Sequence, residues 1–258
     1  MTSDPRPARR SRVRRAPLRG LAGLRAATPA RVAVGRTGPR LRTTTQLALV
    51  ADHARARDAI ASEVPPALVQ RLGLTEIATR ARTRDEYVRM PALGRALDPA
   101  ALARLRRCRH DPEVQVALTD GLSSAAVVAN GGAVLQALTR ELARRGRRVG
   151  TPLFVRNGRV RVQDEIGAVL RPEVFCFLIG ERPGLATAES LSAYVIYQPS
   201  RRSTEPDRTV LSNIHRGGIS PNAAARQLAD LIDEMLAHRA SGAALAAALA
   251  DTPTSLDR

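Results

Sequence analysis

Tryptophan and lysine are both absent from this chain, and Phe and Tyr number only three each. A core without many large rings must be filled by Leu, Val, Ile and Ala. The aromatic platforms on which proteins stack single-stranded nucleic acid are correspondingly scarce. Cysteine is also rare: Cys108 and Cys176 stand alone, with no C-x-x-C pair and no zinc or iron–sulfur spacing, so neither a disulfide framework nor a metal site is indicated. Cys176 lies inside the apolar run 174–179, the setting of a buried thiol in a reduced, cytoplasmic protein. No apolar run approaches the roughly 20 residues a bilayer-spanning helix needs, so no membrane partner is expected. Paired arginines at Arg9–Arg10 and Arg14–Arg15 are not followed by the continuous apolar segment of an export signal. The absence of G-x-G-x-x-G and of a phosphate loop removes the usual dinucleotide and nucleoside-triphosphate readings.

What the 258 residues hold in excess is arginine, giving a formal charge of +17. Residues 1–42 contain twelve Arg and one acid, Asp4, whereas from residue 43 onward 29 Arg face 23 acids. The excess sits mostly in the N-terminal arm. With few aromatics and no recognition motif, the charge does not make the chain a nucleic-acid binder. Residues 1–27, with Pro5, Pro7 and Pro17 and no sustained periodicity, read as a disordered arm.

Residues 28–110 read as a mainly helical region. Leu47, Val50, Ala51 and Ala54 form one apolar helical face ahead of Val64-Pro65-Pro66, and Asp98-Pro99 is an N-cap followed by a first-turn proline. From residue 111 to 258 strands alternate with helices, the pattern of an α/β sheet covered by helices. Val114–Leu118 alternates as a strand, and Ser123 is placed to cap a helix reaching about Arg145. The dipeptide Asn157-Gly158, between Leu153-Phe-Val and Val160-Arg-Val162, predicts a hairpin. A short helix from about Asp164, a buried strand 174–179, a strand 194–197 and a helix opened by Ser220-Pro221 complete the order.

Three stretches are candidates for chemistry. Gly180-Glu-Arg-Pro-Gly184 follows a buried strand, where the carboxyl ends of strands edge the ligand crevice and glycine lets a bulky ligand approach; a plain strand-end turn explains the same residues. Gly121-Leu-Ser123-Ser-Ala125, with Asp207 and His215 downstream, is a near miss to a hydrolase elbow, since Ala stands where that motif has Gly. Ser123 as a helix cap is the simpler account. Asp207 to Gly218 is dense in polar groups, and its alternative is a structural loop in which Asn213 and His215 satisfy backbone groups.

These stretches, in order, resemble the small subunit of adenosylcobalamin-dependent ethanolamine ammonia-lyase. The resemblance is carried by 31–40 (RVAVGRTGPR), 111–116 (DPEVQV), Asp120-Gly-Leu-Ser123, 149–156 (VGTPLFVR), Gly158-Arg-Val160, Gln163-Asp-Glu-Ile-Gly167, Gly180-Glu-Arg-Pro-Gly184, Glu189-Ser-Leu-Ser192, Asp207-Arg-Thr209 and Ser212-Asn-Ile-His215. It implies a Rossmann-like cobalamin-binding domain over 111–258, clamping adenosylcobalamin against a large catalytic subunit in a hetero-oligomer that converts ethanolamine to acetaldehyde and ammonia. By motif, the cofactor-binding positions are Val160, in the hairpin's second strand, Glu181 and Val210, with no catalytic or metal-ligating residue in this chain. Val stands at 210 where relatives often carry Cys, which leaves a backbone contact there in better standing than a side-chain one. Asn213-Ile-His215-Arg-Gly-Gly218 is close to D-x-H-x-x-G, the signature of proteins whose histidine ligates cobalt, but the orienting Asp is replaced by Asn; His215 is therefore expected not to bind cobalt. Entry to a bacterial microcompartment is left open.

Overall fold

The computed structural model describes residues 20–28 and 30–250, and the chain divides into two compact units after Val50. Of the arm expected to be disordered, residues 1–19 lie outside the described residues, while Gly20–Ala27 forms helix α1 with no buried side chain. A short antiparallel pair follows, β1 (Arg36–Thr37) with β2 (Arg40–Leu41). Helix α2 (Thr43–Ala61) is the helix expected from its apolar spacing. Its stripe is not buried, however, with Leu47 64% and Val50 56% exposed.

In the second unit, α3 (Pro66–Arg71) leads into strand β3 (Thr75–Ala78), followed by α4 (Arg84–Arg89) and α5 (Pro99–Leu105). Local chemistry explains these starts. Thr83 Oγ1 accepts from the Glu86 amide at 3.2 Å, and Asp98 Oδ1 accepts from the Ala100 amide at 2.7 Å with Pro99 in the first turn. β3 falls within the stretch expected to be mainly helical, and it joins the main sheet by pairing in parallel with β5 (Leu153–Arg156).

The remaining strands are β4 (Val114–Thr119), β6 (Val174–Gly180), β7 (Leu191–Tyr197) and β8 (Arg208–Ile214). They form a mixed six-stranded sheet of order β3-β5-β4-β6-β7-β8, parallel from β3 to β6 and antiparallel from β6 to β8. The fold is α/β. β4 was expected to alternate, but all six of its residues are buried, because a parallel central strand has helices on both faces. One face packs under α7 (Gly132–Arg144) and α9 (Pro221–His238), and the other under α5 and α8 (Val162–Leu170). Ser123 caps α6 (Ser124–Ala126), which runs through a π-helical turn at Val127–Gly131 into α7. Ser220 caps α9, and α10 (Gly242–Ala250) closes the described chain.

Two expectations fail at named places. No hairpin forms at Asn157-Gly158: Asn157 takes φ 55° but Gly158 does not take positive φ, and the chain turns into α8. β5 is flanked by β3 on one side and β4 on the other, so it has no free edge to accept a return strand. Val160 therefore lies in a strand-to-helix turn and not in a strand. The polar stretch after Asp207, for which a structural loop was the alternative reading, is strand β8, an edge strand with three of its seven residues exposed.

Candidate functional site

The connection from β4 to β5 moves to one side of β4, and that from β5 to β6 crosses to the other. Such a reversal opens a crevice at the carboxyl ends of the strands. There a cavity of about 400 Å³ is lined by Leu122 after β4, Gly158, Arg159 and Val160 after β5, Ile179 and Gly180 at the end of β6, Glu181 and Arg182 just after it, Ser192 and Tyr194 on β7, Ser212 on β8 and Tyr87 from α4.

Glycine permits this end of the sheet to close. A Cβ on Gly180 would collide with the carbonyl oxygens of Ser123 and Asp120, and one on Gly121 with that of Gly180. Gly121 also takes φ +55°. The freedom that the sequence suggested for ligand approach at Gly180 is thus used by the β4–α6 loop. Within the 180–184 loop, Gly184, with no atom nearer than 3.8 Å to its would-be Cβ, is open.

The turn after β5 is held from below. The Asn157 amide donates to Asp120 Oδ1 at 2.9 Å, the Gly158 amide to Thr119 Oγ1 at 3.1 Å, and the Arg159 amide to Gly94 O at 2.8 Å. Arg159 then lies over the Tyr87 ring at 4.2 Å, with Arg84 over the same ring at 4.6 Å. Burial pushes the Tyr87 hydroxyl up to about 12, against the neighbouring guanidiniums.

Glu181 enters the cavity immediately after β6. Its Oε1 accepts from the Ser192 hydroxyl at 2.5 Å and from the Asn213 amide at 3.0 Å. The second bond has a structural origin. Between the pairs Leu191↔Ile214 and Ala193↔Leu211, β8 carries one extra residue, and Asn213 takes φ 65° there. A bulge leaves an amide without a ladder partner, and the carboxylate supplies one. Burial, then the Glu181 charge, raises the pKa of Tyr194 across the cavity. Val210 does not line the cavity; it is 45% exposed and pairs with Tyr194 in register, two residues before the lining Ser212 and on the same face of β8. Val160 and Glu181 are therefore brought together in one cavity, with Val210 beside it.

His215 uses both ring nitrogens locally. Nδ1 accepts from the Gly217 amide at 3.1 Å, which leaves the proton on Nε2 to donate to Asn213 Oδ1 at 2.7 Å. Ser123 is fully buried, and its Oγ accepts from the Ala126 amide at 3.1 Å and donates to Ala188 O at 2.5 Å. It is a cap and not a nucleophile. Among the described residues no group of three His, Cys, Asp or Glu is arranged to hold a metal, and no helix is long and apolar enough to cross a membrane.

Sequence reasoning missed Tyr87, Ser192, Tyr194 and Ser212. A single serine inside the otherwise apolar run Leu191–Tyr197 was a usable signal on β7. Nothing in the sequence brings Tyr87 to β5 from seventy residues upstream.

With the geometry in place, comparison with known families gives one finding. The family model described as ethanolamine ammonia-lyase light chain (EutC) matches residues 19–246, a span that holds every residue lining the cavity.

Proposed function

The chain belongs to the ethanolamine ammonia-lyase light-chain family, and on that premise we propose that it is the cofactor-holding, non-catalytic subunit of an enzyme converting ethanolamine to acetaldehyde and ammonia. As a light chain it is part of a lyase complex and has a large-subunit partner. The observation that carries the reading is the open cavity at the reversal of the sheet, whose lining holds one carboxylate, two arginines, two tyrosines, two serines and an apolar floor but no His or Cys.

That set suits binding better than acid–base or nucleophilic work. It also fits the edge of a corrin, whose rim bears amides. The Glu181 carboxylate and the Ser212 hydroxyl can accept amide N–H groups, while Leu122, Val160 and Ile179 offer apolar surface. Val210 extends the same wall along β8. Adenosylcobalamin, when bound, supplies radical chemistry that no side chain can, and the protein supplies orientation. A corrinoid exceeds a 400 Å³ cavity, so this chain covers part of it and the large subunit the rest. The lining holds no imidazole or thiol that would replace the cofactor's own base on cobalt.

The test is a spectroscopic titration of the purified two-subunit complex with hydroxocobalamin. Glu181→Gln retains an Oε1 acceptor for Ser192 and Asn213 but turns the second oxygen into a donor. Affinity should fall by about 1–3 kcal/mol, the range for a bond to a charged acceptor, with assembly intact. Unchanged affinity would return Glu181 to a purely structural role at the bulge.

A further inference from the structure

Beneath the cavity, and outside its lining, lies a buried charged pair that the cofactor reading does not use. Asp120 is fully buried and Arg84 is 8% exposed, with Nη1 3.6 Å from Asp120 Oδ2. That carboxylate oxygen has no hydrogen-bond partner, and burial raises the pKa of the group. A pair like this is a poor source of stability, because desolvation offsets most of the attraction. Its geometry is informative instead. Arg84 donates from Nε to Ile60 O, from Nη1 to Asn157 Oδ1 and from Nη2 to Gly121 O, each at 3.0 Å. Asp120 Oδ1 accepts the Asn157 amide at 2.9 Å, and Asn157 Nδ2 donates to Ala81 O at 3.0 Å. Asn157 is thereby fixed through its main chain and both ends of its amide group, in a left-handed conformation of φ 55°. Asn is one of the few non-glycine residues that adopt that conformation readily, and here three hydrogen bonds fix it.

We infer that Asp120 and Arg84 are positioning residues for the cofactor wall: they clamp Asn157 so that the turn 157–160 presents Gly158, Arg159 and Val160 to the cavity. The identity of what the turn meets rests on the cofactor reading above; the clamp itself does not. Asp120 acts through the Asn157 amide, and Arg84 through the Asn157 side chain and the stacked Tyr87 ring.

The test compares Asp120→Asn with Asp120→Ala. The first keeps an oxygen for the Asn157 amide and loses the charge; the second loses both. Each leaves Arg84 without its counter-charge, so both should lower the thermal midpoint. Only Asp120→Ala should free the turn. Hydrogen exchange of the full chain should then show the amides of residues 157–159 faster by on the order of tenfold relative to those of β6, the scale of one lost buried hydrogen bond. In the two-subunit complex the same variant should bind hydroxocobalamin on the order of tenfold more weakly, with Asp120→Asn close to wild type. Should Asp120→Ala fold poorly, Arg84→Lys keeps the charge but loses the planar fork, and it should loosen the same amides. Exchange in Asp120→Ala that rises no more at 157–159 than in β6 would overturn the clamp, as would equal loss of affinity in the Asn variant. If the wild-type complex takes up no hydroxocobalamin, the cofactor reading fails, and the exchange measurement alone then supports or overturns the clamp.

Discussion

Individual side chains at the cavity end of the sheet carry more structural duty than their types advertise. Glu181 completes a bulge, Ser123 starts a helix, and His215 spends both nitrogens within its own loop. Because neither imidazole nitrogen is free, electron paramagnetic resonance of the cob(II)alamin-loaded complex should show nitrogen splitting that follows a label in the cofactor's base. Splitting that follows labelled protein histidine would reverse that assignment. Burial also sets the pH response. Cys176, on fully buried β6, and Tyr87 are both pushed up to about 12, from ordinary values of 9.0 and 10.0. The folded chain therefore keeps protons that the unfolded chain releases, and folding stability falls as pH rises from about 9 toward 12. Below that window the contribution is fully present. Thermal midpoints measured from pH 8 to 11 should decline, and Cys176→Ala should flatten the early part of the decline. A midpoint independent of pH across that range would show that neither group ionises on unfolding.

At the scale of elements, the close approach of the β4–α6 loop to the end of β6 is the most demanding feature. Gly180→Ala places a methyl group against two backbone carbonyls that cannot rotate away, and it should cost about 1–3 kcal/mol or more. Gly184→Ala in the same loop meets nothing nearer than 3.8 Å and should stay within about 0.5 kcal/mol. Denaturant midpoints of the two variants check the pair; equal effects would mean that the loop yields. Much of this architecture was legible, because capping residues and apolar periodicity are local. Ser123, Asp98 and Ser220 mark real helix starts, and the apolar run 174–179 is a buried strand. What was not legible depends on neighbours distant in sequence. Asn157-Gly158 carries a hairpin signal, but β5 has both edges occupied by β3 and β4. β8 does not read as a strand because an edge strand with one wet face contains Arg, Thr, Ser and Asn. Val160 emerged as a site residue from the resemblance alone, and Glu181 from a candidate loop after a buried strand that the resemblance made specific; their shared cavity, with Tyr87 in its lining and Arg84 behind that ring, required the fold.

For the molecule as a whole, the proposed function makes the cavity half of a site that the large subunit completes. Its wall is built by the carboxyl ends of parallel strands and continued by β7 and β8. The arginine excess belongs mostly to residues before the sheet, so the account ties cofactor holding to the α/β unit and chemistry to the large subunit. The direct measurement is ammonia release from ethanolamine with added adenosylcobalamin, assayed for this chain alone, the large subunit alone and the two combined. Turnover should appear only in the combination. Turnover by this chain alone, or by the large subunit at the full rate of the complex, would contradict the account.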